Sequence, residues 1–234
     1  ATSMNAIGQF LSAFLIRNYH MGIADAGRLL GMIAGVAMAS GLVIGGFGVD
    51  WAGKFDKRWY VWGPALGLAI AAPLFIIAFH QSVVWEAVVL LIGAHVSMFV
   101  YYAPTLALAQ NMVGANMRAS SAFVVSLVLG LIGTGLGPTI VGLLSDRLAM
   151  HAFGRAGFEA LCPGGAAPAG SAHALVAACS NASATGLRQA LMIMSLLCLW
   201  GAVHYVLAGR NLRQDLDTHY QPSAAALDAT TPAI

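Results

Sequence analysis

The sequence predicts an all-α membrane protein, a six-helix bundle whose first helix is truncated, and three observations carry that prediction. The chain of 234 residues is 59% hydrophobic and 9% charged, well outside the composition of a soluble domain. Five segments are long enough to cross about 30 Å of hydrocarbon, which takes about 20 apolar residues at roughly 1.5 Å each. Those runs do not alternate as barrel strands do, and a bilayer core offers no water to open backbone groups, so they must be helices.

Residues 1–16, ATSMNAIGQFLSAFLI, lack an initiating Met and a basic n-region, which argues against a signal peptide. They read as the last two-thirds of a membrane helix, so the chain is expected to begin inside a helix with others preceding it. Thr2, Asn5, Gln9 and Ser12 recur at helical spacing and make a polar stripe. That stripe faces either a water-filled substrate path or a neighbouring helix that accepts its hydrogen bonds.

The remaining helices are expected near 26–49, 59–79, 85–112, 119–144 and 187–209. Gly31 and Gly35, Gly41 and Gly45, and Gly133 and Gly137 are spaced four apart, which lets helices approach closely. Pro104 and Pro138 each remove a backbone donor and should kink their helices.

Ionisable groups at membrane depth are costly and therefore informative. His95 lies about ten residues into its helix, with Tyr102 seven residues later on the same face. It is either a cavity residue that meets an anionic headgroup or takes up a proton, or a neutral imidazole satisfied by a neighbouring helix. Tyr101, Gln110 and Asn111 are weaker candidates; Glu86 is read as interfacial, and His204 lies near the inner end of the last helix.

If the first segment crosses outward, Lys54, Lys57, Arg58, Arg118, Arg210 and Arg213 fall on one side and Arg17, Arg28, Arg147, Arg155 and Arg188 on the other. That balance scarcely orients the chain. The segment 145–186 is rich in Ala, Gly, Ser and Pro and is expected as a long extracytoplasmic loop. Within it Cys162 and Cys179 either form a disulfide, which requires an oxidising face, or are two unpaired small residues. Cys198 reads as a packing residue, and 211–234 as a disordered cytoplasmic tail.

A net charge of +2 with scattered basic residues argues against a nucleic-acid partner. No zinc-protease, nucleophile-elbow, Walker or dinucleotide pattern occurs, so neither an enzyme, nor a metal, nor a cofactor is expected.

The charge that does occur is concentrated at 45–59, GGFGVDWAGKFDKRW. Gly46, Asp50, Gly53 and Lys54 there resemble the signature loop of the major facilitator superfamily, G-x-x-x-D-R-x-G-R-R, which joins the second and third helices of each six-helix half. Trp51 and Phe55 replace two basic positions of that pattern, and Lys57 and Arg58 supply charge slightly later. GLLSDR at 142–147 shows a similar pattern, but three helices away and hence on the opposite face, so SDR is read as the outer end of its helix. The stretch 101–146, with the Met-Arg-Ala loop at 117–119 and the Gly-Leu-Gly-Pro run, is similar to the tenth and eleventh helices of spinster-like transporters of that superfamily.

The resemblance covers roughly 1–210 and implies the C-terminal half of a twelve-helix major facilitator fold, helices seven to twelve. It implies secondary active transport, proton-linked, of an amphipathic anion such as a lysophospholipid, by alternating access. The alternatives are small organic anions or sugar acids as substrate, or a non-transporting scaffold or receptor on the same fold. Its implied partners are the lipid bilayer of a bacterial inner membrane, a small-molecule or lipid substrate, a proton as coupling ion, and the N-terminal six-helix half. By the same resemblance Gly46, Asp50, Gly53, Lys54 and Arg118 are the gating-loop residues, while the polar stripe and the intramembrane imidazole make Asn5, Gln9, Ser12, His95 and Tyr102 the substrate-cavity candidates.

Overall fold

The computed structural model describes residues 2–154, 157–210 and 212. Apart from Leu212, the segment expected as a tail lies outside the described residues, as do Arg155 and Arg213. Among the described residues the structure is helical and has no strand. Its helices are α1 Thr2–Tyr19, α2 Ile23–Gly53, α3 Trp59–His80, α4 Val84–Asn111, α5 Arg118–Phe153, the short α6 Phe158–Leu161, and α7 His173–Ala208. The five helices α2, α3, α4, α5 and α7 are long and apolar enough to span a bilayer.

Short connections make successive long helices antiparallel. α7 runs along α5 and α3, α3 along α4, and α4 along α2, while α1 packs against α7, α5 and α2. The core they enclose is aromatic and aliphatic, with Phe14, Phe75, Phe79, Leu11, Leu91, Leu187 and Met194 buried. Phe14 and Phe79 meet edge-on at 5.0 Å and Phe75 and Phe79 stack at 5.9 Å.

Both prolines leave their mark. α4 is interrupted between Phe99 and Tyr102, where Pro104 has no N–H to offer the carbonyl four residues earlier, that of Val100. The freed region is the tightest seam of the bundle. A methyl added at Gly41 of α2 would stand 2.7 Å from the Val96 carbonyl oxygen, and methyls at Gly45 and at Gly67 of α3 would run into the carbonyls of Val100 and Ser97. Only a residue without a side chain lets the backbones approach this closely. Gly31 and Gly35 behave differently: nothing lies within 4 Å of a methyl added there, so that pair is not a packing face within this chain. In α5 a π-helical stretch, Leu129–Leu136, precedes Pro138, whose missing N–H falls opposite the Thr134 carbonyl.

The region expected as a long outer loop, 145–186, is mostly helical. α5 continues through Ser145, Asp146 and Arg147 to Phe153, where Gly154 (φ 66°) ends it in a left-handed turn. α7 begins at His173, fourteen residues before the expected 187. Leu, Ala and Met at 148–150 are strong helix formers, and Ala-rich 173–186 likewise favours helix over loop. The two extensions also grip each other: a methyl at Gly186 would stand 2.5 Å from the Ser145 carbonyl oxygen and 2.8 Å from the Ala149 Cβ. A small apolar cluster of Ala149, Phe158, Cys162, Cys179 and Ala182 closes this end, with Phe153 edge-on to Phe158 at 5.3 Å. Cys162 and Cys179 are joined in a disulfide, their Cα atoms 5.6 Å apart.

Candidate functional site

The polar stripe of α1 remains at the edge of the core: Asn5 and Ser12 are half-buried and Gln9 is exposed. Asn5 Oδ1 accepts a hydrogen bond from Thr134 Oγ1 at 3.3 Å, which ties α1 to the π-helical stretch of α5. The stripe is therefore partly a helix-to-helix contact and partly open.

His95 does not join it. At 5% exposure it is buried, with Nδ1 2.8 Å from the Leu91 carbonyl oxygen and its ring edge-on to Phe75 at 4.8 Å. Since a carbonyl only accepts, Nδ1 carries the proton and the imidazole packs as an aromatic body between α4 and α3. Tyr102, half-buried, opens the second part of α4 beyond the break, so no continuous helix connects it to His95.

The structure gathers a different polar group. A cleft of about 160 Å³ between α1, α4, α5 and α7 is lined by Ser3, Met4, Tyr101, Thr105, Cys198 and Tyr205 among others. Thr105 Oγ1 donates to the Tyr101 carbonyl, which leaves it to accept from the Tyr205 hydroxyl. The Tyr101 hydroxyl in turn reaches Met4 Sδ at 3.6 Å. The Thr105–Tyr205 pair and, separately, the Tyr101 hydroxyl give an otherwise apolar cleft directional donors and acceptors. Thr105 and Tyr205 were open to discovery in the sequence only as hydroxyls inside apolar helices, since each is isolated from the other by a hundred residues.

At the opposite end of α2, Asp50 lies one turn before the helix ends, and its Oδ1 accepts from the Tyr60 hydroxyl at 2.9 Å. Asp50 thus clasps the first turn of α3 through a hydroxyl. Gly53 makes room for it, because a methyl there would stand 2.8 Å from Tyr60 Cε2. Gly46 lies in a π-helical stretch, Ile44–Gly48, with nothing within 4 Å of an added methyl. Lys54 is exposed. Arg118 opens α5 at the same end of the bundle and is exposed; the ion pair among the described residues is Arg28–Asp25, at 2.7 Å, and does not include it. Arg58 lies over the Trp62 ring at 5.8 Å.

Of the five long helices, α2 and α5 are the least covered. Over their most apolar windows 22% of α2 and 17% of α5 is buried, against 56% of α3. Phe47, Trp51 and Phe55 on and just after α2, and Phe123 and Leu131 on α5, are large, apolar and exposed. These same two helices contain the π-helical stretches, Ile44–Gly48 and Leu129–Leu136, a distortion found frequently at functional sites. Among the described residues no group of three or more His, Cys, Asp or Glu is placed to hold a metal ion.

No protein-family model matches the sequence. Over 139 residues, 59% of this chain and 32% of the relative, it is 29% identical to an MFS-type efflux pump of Mycolicibacterium smegmatis. Its fold matches the crystal structure of a bacterial homolog of the human lysosomal transporter Spinster in an inward-facing, unoccupied conformation, with a TM-score of 0.78 and 27% identity. That match covers 95% of this chain and 48% of the other. The occupied inward-facing structure matches with a TM-score of 0.74 at 24% identity, over 95% and 49% of the two chains. The chain thus spans about half the length of those solved structures and about a third of the curated relative. These relatives are transporters, not enzymes, and the five spanning helices make this a multi-pass integral membrane protein.

Proposed function

We propose that this chain, which belongs to the major facilitator superfamily with a Spinster-like half-bundle, forms the C-terminal half of a secondary active transporter of a bacterial inner membrane. The observation that carries the reading is the uneven cover of the bundle. α2 and α5 turn large apolar side chains outward, in a fold whose solved neighbours are about twice as long. Another six-helix half covering that side would leave a path between the halves at mid-membrane, and rocking of the halves would open it to each side in turn.

The substrate class proposed is an amphipathic anion such as a lysophospholipid, moved in a proton-linked cycle. The apolar cleft with its Tyr101, Thr105 and Tyr205 hydroxyls supports a substrate that is mostly hydrocarbon with a polar end. His95, packed against Phe75, is poorly placed to exchange a proton with such a path, so the coupling groups are assigned to the other half. In this half the Asp50–Tyr60 clasp, with Gly53 against Tyr60 and Gly46, Lys54 and Arg118 toward the same end of the bundle, would steady the inner gate.

The test is flux in proteoliposomes holding the full-length protein that contains this bundle, under an imposed pH gradient. Gradient-dependent movement of a lysophospholipid is expected. Flux of small carboxylates or sugar acids alone would replace the lipid by those substrates, and no flux of any of them would favour a scaffold or receptor on this fold.

A further inference from the structure

We propose that the cavity between the outer end of α1 and the disulfide-tied connection to α7 is an oxyanion-binding site, taking the carboxylate or phosphate of a small amphipathic molecule. The cavity encloses about 350 Å³, within the range of roughly 300–1,000 Å³ typical of small-molecule sites. Arg17, in the last turn of α1, and His20, just beyond it, line one side. Ser180 and Ser183 of α7 line the other, and Ile16 and Val176 contribute an apolar wall. No carboxylate among the described residues lines it.

Its charges are uncompensated. Arg17 is half-buried, yet among the described residues it has neither a carboxylate nor a hydrogen-bond partner. The two serine hydroxyls are likewise unengaged there. Arg188, five residues beyond Ser183 on α7 and outside the cavity lining, has a buried Nε with no hydrogen-bond partner among the described residues. Half-buried guanidinium groups without counter-ions are costly, and an oxyanion that enters offsets that cost through charge-assisted hydrogen bonds from a planar fork. A cleft lined by one sign of charge also concentrates its ligand from solution.

The wall opposite Arg17 depends on the disulfide. The segment after Cys162 reaches Ser183 through Gly165 (φ 86°), where a methyl would stand 2.8 Å from Ser183 Oγ. Ser180 directly follows Cys179. Opening Cys162–Cys179 should therefore loosen the cavity without touching Arg17. The site stands apart from the transport reading, because its readout is binding, not flux.

Isothermal titration on the full-length protein, in nanodiscs of phosphatidylcholine, tests it with two water-soluble probes, inorganic phosphate and butyrate; a parallel arm replaces part of the lipid by phosphatidic acid and measures its enrichment around the protein. Wild type is expected to bind a soluble probe or to enrich phosphatidic acid. Arg17→Gln should weaken that binding about tenfold or more, His20→Gln and Ser183→Ala by about threefold, and reduction of the disulfide in the same direction. Enrichment of phosphatidic acid alone identifies the ligand as a lipid headgroup, and binding of the soluble probes identifies a free anion. Absence of binding in both arms overturns the proposal. So does unchanged affinity in both Arg17→Gln and His20→Gln, each shown by its melting profile to be folded.

Discussion

α3 and α5 have equally apolar windows, yet 56% of one and 17% of the other is buried. α3 lies between α4 and α7, with Phe75, Phe79 and Ala71 wholly inside. α5 is gripped chiefly at its C-terminal end, by α7 and the disulfide-closed cap, and leaves Phe123 and Leu131 uncovered. The difference teaches that apolarity in a membrane chain reports the solvent, not the neighbours. Lipid tails and Leu side chains are alike to the helix, so association is selected by close packing and hydrogen bonds.

The comparison would be broken most severely at the cap. Cys162→Ser with Cys179→Ser, a pair 17 residues apart in sequence, should cost about 3 kcal/mol from loop-closure entropy in the chain-entropy account. Thermal denaturation in detergent, with and without reductant, should show wild type falling toward the double variant, and the double variant indifferent to reductant.

Next in size, Phe75→Ala in α3 should lose about 2–3 kcal/mol, taking about 24 cal/mol per Å³ over about 100 Å³ of cavity. Leu131→Ala in α5 should stay within about 0.5 kcal/mol, since its side chain is exposed within this bundle. Chemical unfolding of the isolated bundle reads both, and equal losses would erase the distinction drawn between the helices.

Glycine substitutions sharpen the same contrast. Gly186→Val forces apart the α5–α7 seam at Ser145 and Ala149 and should cost about 1–3 kcal/mol. Gly31→Val, with nothing within 4 Å of an added methyl, should leave the melting temperature of the bundle unchanged. Loss of flux in the full-length protein carrying Gly31→Val would support the second half-bundle proposed above as the cover of that face.

The smallest effect is expected at the α2–α3 corner. Tyr60→Phe removes the hydroxyl that Asp50 accepts at 2.9 Å. Exposed to water, that bond should contribute no more than about 1 kcal/mol, so stability should barely change while any gating role appears as altered flux.

Much of the bundle was legible along the chain. The spans at 59–79 and 85–112 agree with α3 and α4 within a residue, because burial in hydrocarbon demands about 20 apolar residues whatever the partners are. The outer segment was misjudged for an equally physical reason. Ala, Ser, Gly and Cys at 173–186 look like loop by polarity, but in a helix pair they are the small residues that permit contact, as Gly186 does with Ala149. The candidate site was less legible. His95 stood out as an intramembrane imidazole, although its surroundings are Leu91 and Phe75. Thr105 and Tyr205, which share a hydrogen bond, are inconspicuous singly.

By itself the sequence determined the solvent of this protein, the number of its long apolar helices, and its resemblance to one half of a facilitator bundle. Those properties follow from length, apolarity and local motif, which act over a few turns of chain. Tertiary structure alone decided which apolar faces are sealed and which are open, that Pro104, Gly41, Gly45 and Gly67 converge on a single seam, and that Arg17 and Ser183 face one cavity. Such outcomes depend on contacts between residues far apart in sequence, and composition carries no record of who meets whom.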